Sequence, residues 1–158
     1  MIYLDKNRVV DFRLNLLNIQ EEKLVIPEIK YSNKIIVNSD EFYNICKNFS
    51  DIDDYVKIEC YVNSVKFEVY GLQQKGCIIY NALREKENIH FKKQLIQIDN
   101  AHNIIQSYSL KYLQMFANGS VINDSITLHI HEEYPLCVQC DLKDGGFIKY
   151  YLAPQIVD

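Results

Sequence analysis

The sequence predicts an α+β layer domain with two helices packed on antiparallel sheets. Two observations lead there. Apolar residues alternate with a period of two along most of the chain, and two stretches switch to helical spacing. The order strand, helix, three strands also recurs about 60 residues after its first appearance, the mark of an internal duplication with a pseudo-twofold axis. At 158 residues the chain suits one domain, or two small ones, with a buried core. Its 48 % hydrophobic and 24 % charged residues are those of globular material.

Residues 8–17, RVVDFRLNLL, place Val10, Phe12, Leu14 and Leu16 on one side of a strand and Asp11, Arg13 and Asn15 on the other. Ile2-Tyr3-Leu4 and the Asp5-Lys6-Asn7 turn before it complete a hairpin whose first arm is short. Residues 18–33 lose the period. There Leu24-Val25-Ile26-Pro27 is apolar among charges, and the proline bars a central strand. The segment is expected to cross a surface as an extended linker. Lys34–Val37 is the next strand. Asn38 or Ser39 then caps a helix whose Phe42, Ile45, Cys46 and Phe49 share one face, with Asp40, Tyr43, Asn44, Lys47 and Asn48 opposite. Tyr55–Tyr61 and Val65–Tyr70 form a hairpin about Asn63-Ser64. It puts Val56, Ile58, Cys60, Val62, Val65, Phe67 and Val69 on one face, and Lys57, Glu59, Lys66 and Glu68 on the other. Gly76–Asn81 is a third strand.

The second half repeats the order. Phe91–Asp99 reads as a strand, and Asn103–Asn118 as a helix with Leu110, Leu113, Phe116 and Ala117 inward, ended by Gly119. The strands Ile126–His131, Leu136–Leu142 and Phe147–Leu152 follow, the last after the Lys143-Asp144-Gly145-Gly146 turn. Each helix is expected to pack on the sheet of its own repeat.

A net charge of -4 excludes a protein that grips nucleic acid through its whole surface. No stretch approaches the roughly 18 apolar residues of a membrane span. Met1 is followed by no basic, apolar leader pattern, so no secretion signal is expected. The five cysteines, Cys46, Cys60, Cys77, Cys137 and Cys140, read as reduced thiols packed as small hydrophobes. Cys137 and Cys140 have CxxC spacing, but in a strand their thiols face opposite ways, which disfavours a zinc or redox pair.

There is no Gly-rich phosphate loop, GxSxG or HExxH motif. His129 and His131, beside Glu132 and Glu133, have metal-ligand spacing without a recognisable third ligand, so a solvated strand face near a turn is the preferred reading. A metal-dependent enzyme built on them is the competing one. Asp51, Asp53 and Asp54 read as a helix-ending turn, and His90 and His102 flank element ends. No catalytic, cofactor or metal residue is expected. Lys47 and Lys111, one on each helix, are a weak footprint for phosphate. The ending FIKYYLAPQIVD is unusual. Its strand alternation stops at Ala153-Pro154, leaving an apolar, proline-stiffened tail. With the Leu24–Pro27 segment it suggests a docking surface.

Four stretches, SDEFYNICKNFSDIDD (39–54), VKFEVYG (65–71), SLKYLQMF (109–116) and GFIKYYLAPQI (146–156), stand in an order and spacing that resemble the C-terminal domain of proliferating cell nuclear antigen, the eukaryotic DNA sliding clamp. LNLLNIQEEKLVIPE (14–28) resembles that family's interdomain connecting loop. The resemblance spans nearly the whole chain. It implies the DNA-clamp (processivity) fold, with two βαβββ repeats per domain, and the domain organisation 1–17 (last strand of a first clamp domain), 18–33 (connecting loop) and 34–158 (C-terminal clamp domain).

The implied function is non-enzymatic. A nuclear ring, a homotrimer in the family, encircles double-stranded DNA. It is opened by a clamp loader and tethers polymerases and repair proteins, which rebind instead of diffusing away. Partners insert a short motif (glutamine, an aliphatic residue, two aromatics) into a pocket. Carried over, that pocket is Leu24, Ile26 and Pro27 against Pro135, Tyr151, Ala153 and Pro154. DNA-facing positions are Lys47 and Lys111, while Asn44 and Asn118 stand where the family usually has basic residues. Val62 replaces the ubiquitin-accepting lysine, and Gln155 replaces a lysine of the tail. The subunit joint would pair the edge containing Gly76, Cys77, Ile78, Ile79 and Tyr80 with the strand near Val9–Leu16. With most of the first domain absent, this chain alone is not expected to close the normal trimer. A clamp fragment that binds partner peptides but forms no ring is the alternative.

Overall fold

The computed structural model describes residues 2–5, 8–11, 29–82, 96–119, 123–143 and 145–156. A short hairpin comes first, β1 (Ile2–Asp5) against β2 (Arg8–Asp11). The first repeat is β3 (Asn33–Asn38), α1 (Ser39–Ser50), β4 (Tyr55–Tyr61), β5 (Ser64–Tyr70) and β6 (Lys75–Asn81). After β7 (Ile96–Asn100), the second repeat is β8 (Ile104–Ser109), α2 (Leu110–Gly119), β9 (Ser125–Ile130), β10 (Leu136–Asp141) and β11 (Phe147–Leu152). Residues 12–28 and 91–95, which carry the end of the predicted 8–17 strand, most of the predicted 18–33 connecting loop and the start of the predicted Phe91–Asp99 strand, lie outside the described residues.

The expected duplication is present, but the repeats exchange their first strands. One sheet runs β11-β10-β9-β3-β7 and the other β6-β5-β4-β8, all neighbours antiparallel. So β3 of the first repeat pairs with β9 of the second, and β8 of the second pairs with β4 of the first. The expectation that each helix packs on a sheet made by its own repeat alone is corrected accordingly. The helix starts obey the same exchange. Ser39 N–H donates to the Asp124 carbonyl just before β9 (3.1 Å), and Leu110 N–H donates to the Asp54 carbonyl just before β4 (2.8 Å).

Asn38 is the helix cap of α1. Its side-chain oxygen accepts from the N–H groups of Asp40 and Glu41 at 3.2 and 3.3 Å, and those two carboxylates sit in the positive first turn. The predicted inner face of α1 (Phe42, Ile45, Cys46, Phe49) is buried, as are Leu110, Leu113 and Ala117 of α2. They join Val56, Ile58, Phe67, Tyr108, Leu128 and Val138 in one core fed by both sheets. Each such side chain contributes about 1.5–3 kcal/mol on leaving water. Phe116 is half-buried and stacks on Tyr150 of β11, ring centroids 4.6 Å apart.

Three sequence readings change. The helix predicted over 103–118 begins only at Leu110, because Ile104–Ser109 adds to the edge of β4 over six residue pairs. Ile104 and Tyr108 are four apart and both buried, a spacing that also satisfies a helix face. Val62 belongs to the β4–β5 turn, where it is 56 % exposed, rather than to the buried face. His131 falls just past the end of β9, and Leu142 just past β10. In the last turn Gly145 and Gly146 both have positive φ (87° and 98°), which a side chain would oppose.

Candidate functional site

The two sheets present outer faces of opposite character. On the four-stranded sheet, β4 and β5 pair Lys57 with Glu68 and Glu59 with Lys66. Lys57 Nζ lies 2.7 Å from Glu59 and 3.0 Å from Glu68, Lys66 Nζ lies 2.8 Å from Glu68, and Lys75 Nζ of β6 lies 3.3 Å from Glu68. Lysine stems cover both carboxylates, leaving Glu59 only 7 % and Glu68 only 2 % exposed. The ammonium hydrogen bonds hold both acids below the usual carboxylate range, Lys66 first for Glu68 and Lys57 first for Glu59. Lys75 also lies 4.7 Å over the Tyr70 ring, and the Tyr61 hydroxyl donates to Glu59 (2.9 Å). Two acids and three lysines are thus mutually satisfied.

The outer face of the five-stranded sheet is open. Strand register aligns one row across it: Tyr151 opposite Cys137, Cys137 opposite His129, His129 opposite Lys34, and Lys34 opposite Asp99. Over this row lies a cleft of about 570 Å³, lined also by Ile29, Tyr31, Gln139 and Lys149. Tyr31 forms its wall. The residue that places Tyr31 is Asn33, fully buried, whose side chain donates to the His102 carbonyl (2.8 Å) and accepts from the N–H groups of Ala101 and His102 (3.1 and 3.0 Å). This clamp fixes where the chain enters β3. Two residues earlier, the Tyr31 hydroxyl donates to the Pro135 carbonyl (2.9 Å), and its ring tilts against His129 at 5.5 Å.

Burial pushes the Tyr31 phenol up to about 12 and raises the Cys137 thiol and Tyr151 phenol as well. Burial, then the Lys34 ammonium, depresses His129, so it is neutral at pH 7. None of the cleft's thiol or phenol groups is poised to ionise, as a nucleophile must be. Aromatic walls, a neutral imidazole and two lysines suit recognition of another molecule. Among the described residues no three His, Cys, Asp or Glu side chains are grouped to hold a metal ion. The His131 ring instead tilts against Tyr134, centroids 4.7 Å apart, and accepts the Glu133 N–H at 3.1 Å. The acidic loop is a turn in which Asp53 accepts the Tyr55 N–H (3.1 Å).

A family model described as proliferating cell nuclear antigen, C-terminal domain, matches residues 25–155. The chain belongs to the proliferating cell nuclear antigen family. These are DNA sliding clamps, and the match takes in both repeats and the tail as far as Gln155, confirming the fold class read from the sequence.

Of the residues that the resemblance assigns to a clamp's peptide pocket, the structure brings Tyr151 into the cleft and ties Pro135 to it through Tyr31. Ala153 and Pro154 lead the tail away from β11, and Gln155 N–H donates to the Ser107 carbonyl of β8 (2.8 Å), bridging the two sheets. Leu24, Ile26 and Pro27 lie outside the described residues. Tyr151 and Lys149 do face the cleft while Tyr150 and Leu152 pack on the core, as the alternation predicts. Tyr31, His129 and Lys34 were not anticipated as cleft residues. The available signal was an aromatic, Tyr31, at the end of a charged linker.

Lys47 and Lys111 are exposed on α1 and α2. The strand β6 pairs on one side only, with β5, and so presents a free edge among the described residues. Its core side is tightly packed. A Cβ on Gly76 would meet Val69 Cγ1 at 2.9 Å, and the Tyr80 hydroxyl donates to Glu41 of α1.

Proposed function

We propose that this chain serves as the partner-docking half of a DNA sliding clamp, a non-catalytic nuclear protein. In this reading, residues 1–17 are the last strand of a first clamp domain, 18–33 the connecting loop and 34–158 the C-terminal domain. The observation that carries the docking role is the open cleft between Tyr31 and Tyr151, beside Pro135, at the point where the connecting segment enters β3. A clamp partner's peptide would lie along it in extended form, its aromatics against these walls and Leu24, Ile26 and Pro27, with Ala153 and Pro154 beside the tail. The β6 edge, with Gly76, Cys77, Ile78, Ile79 and Tyr80, would join a neighbouring subunit by strand pairing. Lys47 and Lys111 would face the DNA, lending this domain a thin positive charge that favours sliding over gripping.

Fluorescence anisotropy with a labelled peptide carrying the glutamine–aliphatic–aromatic pair motif tests the docking role. Binding is expected at micromolar concentration and should be lost in Tyr151→Ala and in Ile26→Ala. A peptide that stays unbound at high micromolar concentration would refute the assignment.

A further inference from the structure

The cleft holds more than an apolar motif requires. Lys34 of β3 and Lys149 of β11 flank the His129–Cys137 row from either side, and neither forms a salt bridge among the described residues. Three strand intervals separate β3 from β11 and Lys149 lies one row along from Lys34, so the two positions are about 16 Å apart and two extended lysine side chains leave room between them for one small anionic group. The nearby acids do not fill that role. Asp141 accepts a hydrogen bond from the Gln139 amide at 2.7 Å, and Asp99, directly opposite Lys34 on β7, lines the cleft too but makes no salt bridge with it. Lys149 lies over the Phe147 ring at 4.7 Å, a contact that leaves its ammonium hydrogens free to donate. This pair of unmatched ammoniums belongs to a chain whose net charge is -4, so it is a local exception.

We infer that this end of the cleft is a subsite for an acidic side chain of the docked peptide, with Lys34 and Lys149 donating to its carboxylate beside the His129 ring. The inference rests on the peptide-docking reading above and adds a charge preference to it. A carboxylate on an extended peptide fits better than nucleic acid, because a phosphate backbone is followed by a track of cations, whereas here only two line one walled cleft. Lys34 and Lys149 stand on adjacent register rows of one sheet, so their backbone positions are set before binding and only the side chains need ordering.

The test is a peptide walk. The motif peptide is made with a single glutamate placed in turn at each position that is not an anchor, alongside matched glutamine and lysine peptides, and affinities are read by anisotropy. At one position, or two adjacent ones, glutamate should bind roughly five- to tenfold tighter than glutamine, and lysine weaker. Raising salt should shrink the gain. In the double variant Lys34→Gln, Lys149→Gln the glutamate and glutamine peptides should bind equally, whatever the loss both share. If all peptides bind but glutamate is nowhere preferred, or its advantage survives in the double variant, the subsite is refuted and docking stands. If none of the peptides binds, docking itself falls.

Discussion

The two outer sheet faces are built from the same kind of strand and come to opposite ends. On β4, β5 and β6, lysines and glutamates alternate in register, so every acid finds two or three ammoniums and the face is closed on itself. On the five-stranded sheet the outward residues include His129, Cys137, Gln139, Lys34, Lys149 and Tyr151, and the outward acids, Asp99 and Asp141, form no salt bridge with either lysine. A face whose charges are satisfied internally contributes stability. A face whose donors are left over can contribute binding. Charge count alone does not distinguish them; strand register does.

The sharpest way to break that contrast is Tyr151→Ala. We expect a ten- to hundredfold loss of motif-peptide affinity, since buried aromatic anchors dominate such interfaces. Because Tyr151 is half-exposed, a thermal melt should fall only slightly. Next comes Glu68→Ala on the closed face, which leaves Lys57, Lys66 and Lys75 facing one another. It should cost about 2 kcal/mol in denaturant unfolding, somewhat less in high salt, because the lysines themselves reach water. Peptide affinity should not change.

The closed face also sets an acid limit. Glu59 and Glu68 have folded-state pKa values below their ordinary 4.5. Their contribution is therefore fully present above pH 4.5 and is lost as pH falls through the depressed folded values. In the variant Glu59→Gln, Glu68→Gln, stability measured by urea titration should drop less between pH 5 and pH 3 than in the parent. An equal drop would remove these two acids from the account.

On the open face the signs reverse. His129 is depressed by burial and by Lys34, with Lys149 acting in the same direction and Gln139 and Asp141 opposing; Tyr31, Cys137 and Tyr151 beside it are neutral. A docked carboxylate would raise it, so binding takes up a proton. Affinity for the preferred glutamate peptide should then rise roughly two- to fivefold from pH 7.5 to 5.5, and stay flat in His129→Gln. The smallest effect expected is on the fold itself. Lys34→Gln with Lys149→Gln should leave unfolding free energy within about 0.5 kcal/mol, since neither lysine has an ion-pair partner among the described residues.

Most strands were legible because each alternates over five or more residues between clear turns. β3, β4, β5, β6 and β11 lie within one residue of their expected ends. The misreading at Ile104–Ser109 has a specific cause. Its two buried side chains, Ile104 and Tyr108, satisfy a strand and a helix alike, and the decision is made by the open edge of β4, 50 residues earlier. The exchange of β3 and β8 between repeats was hidden for the same reason. Periodicity tells which face of a strand is apolar and says nothing about its neighbour.

By itself, then, the sequence determined the duplicated α+β plan, the inner faces of both helices, the outward turn of Tyr151 and, through its motif resemblance, the clamp family. These follow from local periodicity and from short residue patterns. Tertiary structure alone decided that Asn33 clamps the β7–β8 turn and hangs Tyr31 over His129, and that Lys34 and Lys149 line one cleft with no salt bridge among the described residues. Both depend on which residues meet across strands distant in the chain, and that pairing is a property of the folded sheet.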